Sequence, residues 1–339
     1  MSLAETAGRI VAPGKGVLAA DESSPTIKKR FDTINVESTE DNRRFYRQLL
    51  FTTTEAAKHI GGVILFEETL RQSSDDGTPF AELLNSQGIV PGIKVDKGAK
   101  ALPYCPNETV TEGLDGLRDR LADYYDLGAR FTKWRAVIRI ADTIPSPTCI
   151  EANAHALARF AALSQEAGTV PIVEPEILMN GKHTIERCAE VTEATLHEVY
   201  HQLHIQRVEL EGTLLKPNMV VPGDECAVQA TAEEVATATV QVLSRTVPAA
   251  VPGIVFLSGG LSEIKATEHL NAMNSMGTHP WELSFSFGRA LQASALKAWD
   301  GQSDRADAAR QAYAHRARCN GLARSGEYSE AVEAELNSL

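Results

Sequence analysis

Residues 208–220 read Val208-Glu-Leu-Glu-Gly-Thr-Leu-Leu-Lys216-Pro-Asn-Met-Val220, an apolar run that stops at a lysine. Pro217 has no backbone N–H for a strand ladder, so the predicted strand 208–216 ends with Lys216 at its C-terminal rim. Partial burial favours the neutral amine over the ammonium. A neutral lysine attacks a ketone or aldehyde and forms an iminium, which withdraws electrons from the neighbouring carbon. Taken alone, the motif also fits a lysine that extends from a strand end into solvent.

The same unit, an apolar run that ends at a polar residue before a helix, recurs along the chain. The predicted strands lie at 16–21, 62–66, 89–95, 130–137, 170–176, 208–216, 253–258 and 281–286. The predicted helices lie at 39–60, 79–87, 113–128, 148–168, 184–206, 231–247, 262–273 and 289–299. This alternation predicts an α/β fold, a single-domain (β/α)8 TIM barrel over about 14–300, with a C-terminal helical extension and tail over about 301–339. An open doubly wound sheet would need a glycine fingerprint after the first strand, and none is present.

The overall composition and charge argue against some classes of binding partner. The 339 residues are 43% hydrophobic and carry a formal net charge of −12, which repels nucleic acid and anionic bilayers at long range. We therefore expect no nucleic-acid and no membrane partner. No stretch has the length of a membrane span, and no signal peptide is recognisable. Five cysteines without paired spacing favour a reducing compartment, so we expect a cytoplasmic location.

Polar residues at the predicted strand ends form a candidate site, because the C-terminal ends of barrel strands face the catalytic mouth. For any one of them, a solvated or salt-bridged surface charge is the simpler interpretation. Several strands, however, aim a charge at the same place. The residues selected in this way are Asp21, Glu67, Glu68, Lys94, Lys133, Arg135, Glu174, Glu176, Lys216, Ser258 and Arg289.

Glu174 and Glu176 are expected to share one face of a strand, because strand side chains alternate. Repulsion between two such carboxylates would raise the pKa of one of them and suit it to proton transfer near neutral pH. The two could equally be ion-pair partners of neighbouring lysines. Lys133 should also reach the mouth, where a second ammonium would help to keep Lys216 neutral.

The loops after the last two strands are predicted to bind an anion, because such barrels often hold a phosphate there. Ser258-Gly259-Gly260 offers backbone N–H groups just before a helix. Gly288 and Arg289 add a glycine and a guanidinium at the next helix start. The basic residues that could neutralise a second anionic group on the other side are Lys29, Arg30 and Lys94.

His197-Glu198-Val-Tyr-His201 matches the H-E-x-x-H pattern of zinc peptidases. The helical wheel places Leu196, Val199 and Leu203 on the apolar stripe and the histidines on its flank, away from the mouth. A catalytic zinc needs an enclosed site with oriented ligands, so we expect no metal here. A metallopeptidase and a scaffold without activity are the competing functions from other classes.

Eight motifs then identify a family. They are LAADES from Leu18, NRRFYRQLL from Asn42, GIKVDKG from Gly92, KWR from Lys133, IVEPEI from Ile172, ELEGTLLKPNM from Glu209, FLSGG from Phe256 and FGRALQASALKAW from Phe287. In this order they resemble the class I (Schiff-base) fructose-bisphosphate aldolases over about residues 10–314. The resemblance implies a (β/α)8 barrel, often a homotetramer, that cleaves fructose 1,6-bisphosphate into dihydroxyacetone phosphate and glyceraldehyde 3-phosphate. It implies sugar-phosphate ligands and neither metal nor cofactor.

The resemblance also implies residue roles. Lys216 is similar to the Schiff-base lysine, and Glu174 to the acid/base that assists carbinolamine dehydration. Asp21 resembles the aspartate near the C4 hydroxyl, and Lys133 the lysine that contacts the C4 oxygen. Glu176 resembles the residue that positions these ammonium groups. The implied substrate-binding residues are Lys94, Arg135, Lys29 and Arg30, with Ser258, Gly259, Gly260, Gly288 and Arg289 as the site for one phosphate.

Two departures from the family stand out. Thr26 occupies a position where the family often has serine. The chain ends Leu336-Asn-Ser-Leu339, and its last tyrosine is Tyr328, whereas animal members end in a tyrosine that reaches the active site. The route of enamine protonation is therefore left open. A related Schiff-base aldolase that prefers another ketose, such as sedoheptulose 1,7-bisphosphate, is the alternative within the enzymes.

Overall fold

The computed structural model describes residues 1–335, in which eight parallel strands close into a barrel. The strand order around the barrel is β1-β2-β3-β6-β7-β8-β9-β10, and β4 and β5 form a separate antiparallel hairpin. The strands are β1 Gly16–Ala20, β2 Ile60–Leu65, β3 Val90–Lys94, β4 Ala99–Ala101, β5 Thr109–Thr111, β6 Phe131–Ile138, β7 Val170–Ile177, β8 Leu214–Leu215, β9 Gly253–Phe256 and β10 Glu282–Phe287. The predicted (β/α)8 barrel is thereby confirmed.

Helices surround the barrel, and several of them begin at polar caps. Thr184, Thr231 and Ser262 each accept a hydrogen bond from a backbone N–H in the first turn of the helix that follows. The α-helices are α1 Leu3–Ile10, α2 Ser24–Asp32, α3 Glu40–Phe51, α4 Glu67–Leu70, α5 Phe80–Ser86, α6 Leu117–Asp126, α7 Pro147–Glu166, α8 Ile185–Ile205, α9 Ala232–Thr246, α10 Glu263–Ser275, α11 Arg289–Trp299, α12 Ala306–Ala323 and α13 Glu330–Ala334. None of the helices in the described part of the chain combines the length and apolarity needed to cross a bilayer.

Aromatic rings pack against strand glycines on both faces of the barrel wall, with Phe131 in the interior cluster and Phe285 in the layer between strands and helices. A Cβ added at Gly92 would lie 2.3 Å from the Phe131 ring, and one at Gly16 would lie 2.6 Å from the Phe285 ring. These strands can therefore approach the rings only because they carry glycine at those positions. Helix α1 closes the lower end of the barrel, where Ile10 and Val11 are buried in the same apolar cluster as Phe131.

The predicted strand 208–216 is wrong in its first half. Leu210–Gly212 form a 3-10 turn, and only Leu214–Leu215 pair as a strand. The Gln165 side chain explains the turn, because it accepts a hydrogen bond from the Glu209 N–H and donates to the Glu209 carbonyl. Leu3 of α1 also packs so closely that a Cβ at Gly212 would lie 2.7 Å away. Tertiary contacts therefore override the apolar pattern in this segment.

Other differences lie between the strands. The predicted helix 39–60 ends as α3 at Phe51, and residues 56–58 form a separate 3-10 turn. Helix α2 follows β1 and was not predicted; Pro25 in its first turn is favourable there. Helix α1 and the β4–β5 hairpin were not predicted.

The predicted C-terminal helical extension is present as α12 and α13. Arg316 of α12 is 1% exposed, and its guanidinium donates to the Glu333 carboxylate at 2.5 Å. The Tyr328 hydroxyl donates to the same carboxylate at 2.7 Å. This pair of contacts fixes α13 against α12. The end of the predicted tail, 336–339, lies outside the described residues.

We expect Gly92→Ala to destabilise the barrel by about 1–3 kcal/mol, because the new methyl group would overlap the Phe131 ring. The thermal unfolding midpoint measures the effect. Gly8→Ala is the control, since nothing lies within 4 Å of a Cβ at this exposed position in α1, and we expect it to stabilise the protein slightly. An unfolding midpoint for Gly92→Ala at or above that of the unsubstituted protein would contradict the described packing.

Candidate active site

The C-terminal ends of the strands surround a cavity of about 370 Å³. A larger groove of about 630 Å³ lies on the outer helices and contains none of the predicted site residues. The cavity at the mouth brings most of the predicted residues together. Those that line it are Asp21, Arg30, Lys94, Lys133, Arg135, Glu174, Glu176, Lys216, Ser258, Gly259, Gly288 and Arg289.

Lys216 follows β8 directly and continues its ladder, because its backbone N–H donates to the Val173 carbonyl at 2.8 Å. Its side chain turns into the mouth and is only 4% exposed as a residue. Its side-chain nitrogen Nζ lies 3.1 Å from Oε1 of Glu174 on β7. The lysine therefore does not extend into solvent, which removes the simpler interpretation of the motif.

Glu174 connects Lys216 to a second lysine. Its Oε2 lies 3.1 Å from Nζ of Lys133 on β6, and the same Nζ lies 2.6 Å from Oδ2 of Asp21. Asp21 follows β1, which stands opposite β7 in the closed strand order. The four side chains form a chain of alternating charge, Lys216–Glu174–Lys133–Asp21, that crosses the mouth of the barrel. We call this set the ion chain.

The charges in the ion chain are mutually stabilised. Burial alone would raise the pKa of Asp21, but Lys133, Lys216 and Lys94 hold it well below its usual range. Burial alone would lower the pKa of Lys133, yet Asp21, Glu174 and Asp96 hold it well above its usual range. Both groups therefore remain charged across the neutral pH range.

Of the two interpretations of the carboxylate pair, the structure favours ion pairing over mutual repulsion. Burial favours a raised pKa for Glu174, but Lys133, Lys216 and Arg135 outweigh this and lower the pKa. Glu176 forms its own ion pair with the Arg135 guanidinium. Each carboxylate thus has a cationic partner, so repulsion between the two does not set the pKa of Glu174.

The predicted phosphate-binding segments reach the same cavity. Gly259 adopts a φ of +63° and Gly260 a φ of +154°, so this turn requires conformations that glycine adopts most readily. Gly260 does not line the cavity, although its neighbours Ser258 and Gly259 do. Arg289 begins α11, and both it and the preceding Gly288 line the cavity, so the start of that helix borders the site.

The other predicted basic residues differ in whether they line the cavity. Arg30 lines the cavity, whereas Lys29 is exposed and does not. Lys94 lines it and lies 3.3 Å from a carboxylate oxygen of Asp96. Of the remaining strand-end acids, Glu68 pairs with Arg43 at 2.6 Å outside the cavity, and Glu67 also lies outside it.

Sequence reasoning missed several residues at the mouth. Asp96 is buried beside Lys94, and its Oδ2 accepts from the Arg135 backbone N–H at 3.3 Å. Its position two residues beyond a strand-end lysine was the signal that could have indicated it. The other cavity-lining polar residues that were not selected are Glu22, Ser23, Thr26 and Ser286.

The histidines of the H-E-x-x-H pattern lie on the outer helix α8, where His197 and His201 are exposed. Another group, His315, Cys319 and Glu333, brings potential metal ligands within 4.8 Å of one another. The Glu333 carboxylate there already accepts from the Arg316 guanidinium and the Tyr328 hydroxyl. Neither group lies at the barrel mouth.

The family model for class-I fructose-bisphosphate aldolase matches residues 2–338. The chain belongs to this family. The probable class 1 fructose-bisphosphate aldolase of Xanthomonas axonopodis pv. citri is 58% identical over 327 residues, which are 96% of this chain and 98% of that protein. Human fructose-bisphosphate aldolase C is 54% identical over 333 residues, with 98% and 92% covered.

A solved structure of Plasmodium falciparum fructose-bisphosphate aldolase, in complex with TRAP and a small-molecule inhibitor, has a TM-score of 0.95 and 51% identity. The similarity covers 96% of this chain and 95% of that chain. The chain is accordingly a lyase, and its function is that of a class-I fructose-bisphosphate aldolase. The relatives named here give no support to a preference for sedoheptulose 1,7-bisphosphate.

The ion chain predicts a pH-dependent effect of Lys133→Met. Removal of the ammonium leaves two buried carboxylates with less compensation, so we expect a loss of about 3–5 kcal/mol of stability at pH 7. Because the pKa values of Asp21 and Glu174 are lowered by folding, their stabilising contribution exists above their unfolded values, near pH 4, and is lost as the pH falls. The deficit of the variant should therefore shrink as the pH falls below about 4.

Thermal unfolding at several pH values measures this deficit. Lys28→Met is the control, because Lys28 forms an exposed ion pair with Asp32 and should cost less than about 1 kcal/mol. A deficit for Lys133→Met that stays constant or grows on acidification would be inconsistent with the ion chain.

Proposed function

We propose that Lys216 is the nucleophile that forms the Schiff base with the C2 carbonyl of fructose 1,6-bisphosphate. The observation that carries this proposal is the ion chain, which places the buried Lys216 amine 3.1 Å from a carboxylate at the barrel mouth. Attack by the amine gives a carbinolamine, and loss of water gives the iminium. The iminium is the electron sink, so the proposed reaction needs neither a metal nor a cofactor.

Glu174 is proposed as the proton carrier for iminium formation. Its Oε1 lies 3.1 Å from the Lys216 nitrogen, so the carboxylate is placed to accept the proton that this nitrogen loses when it attacks the C2 carbonyl. The protonated carboxyl can then donate to the departing hydroxyl of the carbinolamine. Glu174 also contacts Lys133, which stabilises the carboxylate form between these transfers.

Asp21 is proposed as the base for carbon–carbon cleavage, and Lys133 as its partner. When a base takes the proton of the C4 hydroxyl, the electron pair of the C3–C4 bond moves toward the iminium nitrogen and forms the enamine. The C4 oxygen becomes the carbonyl oxygen of the released aldehyde. Lys133 lies 2.6 Å from Asp21 and is held as an ammonium, so it can stabilise negative charge on the C4 oxygen.

The remaining cavity residues are proposed to hold the substrate. The glycine turn at 258–260 and the start of α11 supply N–H groups and the Arg289 guanidinium for one phosphate. Arg30 also lines the cavity, and with Lys29 it is proposed to attract the second phosphate. Lys94 and Arg135 line the space between, and Glu176 orients Arg135 through their ion pair.

A homotetramer in the cytoplasm is the proposed working form. The support comes from the family resemblance and from relatives such as the Arabidopsis thaliana protein described as cytosolic fructose-bisphosphate aldolase 6. The chain mass is 36.7 kDa. Light scattering after size-exclusion chromatography should therefore give about four times this mass, and a mass of one chain would contradict the tetramer.

Borohydride reduction in the presence of dihydroxyacetone phosphate should trap the ketone on Lys216, and peptide mass spectrometry locates the label. Lys216→Met should carry no label, and its kcat should fall at least about 10³-fold, because the variant lacks the nucleophile. Lys97→Met is the matched control, since Lys97 is half exposed, pairs with Glu67 and does not line the cavity. This variant should keep the label on Lys216 and the kcat of the unsubstituted enzyme. A label on another lysine in the unsubstituted enzyme would overturn the proposed role.

Chelation separates the aldolase from the metallopeptidase interpretation. Fructose 1,6-bisphosphate cleavage in excess chelator should remain within about twofold of the untreated rate, because the iminium replaces a metal as electron sink. Loss of activity with chelator, followed by recovery with added zinc, would contradict the Schiff-base mechanism.

A further inference from the structure

Glu22 follows the proposed base Asp21 but has a different set of partners. Its carboxylate is only 5% exposed and lies between two arginines. Nε of Arg30 is 3.2 Å from Oε1, and Nη2 of Arg47 is 2.8 Å from Oε2. The Gln292 amide also donates to Oε1 at 3.1 Å and to the Ala19 carbonyl at 2.9 Å. Glu22 is thereby fixed in one orientation beside the active site.

The two arginines differ in their access to the cavity. Arg30 lies on α2, lines the cavity and has a side chain that is 24% exposed. Arg47 lies on α3, has a side chain that is 3% exposed and does not line the cavity. Only Arg30 can meet a substrate. Among the charged residues that the structure describes, Glu22 is the one ion-pair partner through which Arg47 contacts the site.

Arg47 is poorly explained as a stabilising residue. Within residues 1–335 its buried Nη1 has no hydrogen-bond partner. Buried ion pairs seldom stabilise a fold more than apolar side chains of similar size would, and an unpaired buried nitrogen adds a cost. A role in the site accounts for its presence better than a role in folding.

We propose that Arg47 is a positioning residue for substrate binding: it neutralises Glu22, so that Arg30 keeps a net positive charge for a phosphate on the substrate. One carboxylate shared by two guanidinium groups leaves one positive charge, and that charge is presented at the cavity by Arg30. Without Arg47, Glu22 and Arg30 would form a neutral pair. This inference rests on the proposed function, in which Arg30 faces the phosphate distant from Lys216.

The test compares two ketoses that differ in this phosphate. Fructose 1,6-bisphosphate carries it, and fructose 1-phosphate lacks it while keeping the carbonyl and the C4 hydroxyl. In Arg47→Met, we expect KM for the bisphosphate to rise about tenfold, the loss expected for a charge-assisted contact. We expect kcat/KM for fructose 1-phosphate to change less than about twofold, so the ratio of the two kcat/KM values falls about tenfold.

A double variant tests whether charge is the cause. Arg47→Met combined with Glu22→Gln removes both charges and leaves Arg30 positive, so the ratio should return to within about threefold of the unsubstituted enzyme. Arg43→Met is the matched control, because Arg43 lies one turn earlier on α3 and pairs with Glu68 outside the cavity. It should leave the ratio unchanged.

Equal losses with both ketoses in Arg47→Met, or no recovery in the double variant, would show that Arg47 only supports the fold or Asp21. Should Arg47→Met fail to fold, Glu22→Gln alone decides the question, because removal of the shared carboxylate should not raise KM for the bisphosphate. An increase would overturn the inference. The borohydride label is measured on Lys216 in each variant. If the label is present but the ratio does not change as expected, the proposed function holds and the role of Arg47 does not. An unsubstituted enzyme that cleaves neither ketose would contradict both.

Discussion

The contact between the Lys133 ammonium and the Asp21 carboxylate is the interaction on which the rest of the site depends. It spans the barrel from β6 to the strand nearly opposite, and Glu174 extends it to Lys216. Charges buried this deeply are tolerated only when each has an oppositely charged neighbour. Alternation along the ion chain meets that condition for all four groups. A change in charge at any one of them therefore affects the remaining three.

The closed parallel barrel is what allows distant parts of the chain to meet. Residues of β6 and β7 are in register over their whole lengths, so Arg135 lies beside Glu174 and Val137 beside Glu176. A shift of one residue would turn the charged side chains of a strand to the opposite face. Gly92, opposite the Phe131 ring, fixes the packing beneath the mouth. The core thus determines the register on which the chemistry depends.

The sequence allowed the strand ends to be recognised, because each apolar run stops at a polar side chain. Asp21, Lys133, Glu174 and Lys216 could be selected in this way, and the structure brings them together. The direction of the Glu174 pKa could not be derived, because it depends on which cation reaches each carboxylate. The short length of β8 could not be predicted either, because the turn before it is held by the Gln165 side chain, which is distant in sequence. Patterns thus located the site, whereas long-range contacts determined its ionisation.

Helix α1 has a consequence for the order of events at the site. Ile10 and Val11 close the barrel floor, so molecules reach Lys216 from the strand-end opening. After carbon–carbon cleavage by the proposed route, the three-carbon ketone remains covalently attached, whereas the aldehyde is held only by non-covalent contacts. Within residues 1–335, the strand-end opening is the route by which the aldehyde would leave while the ketone is still attached to Lys216. The proposed route therefore implies an ordered turnover, in which the ketone binds first in the reverse condensation.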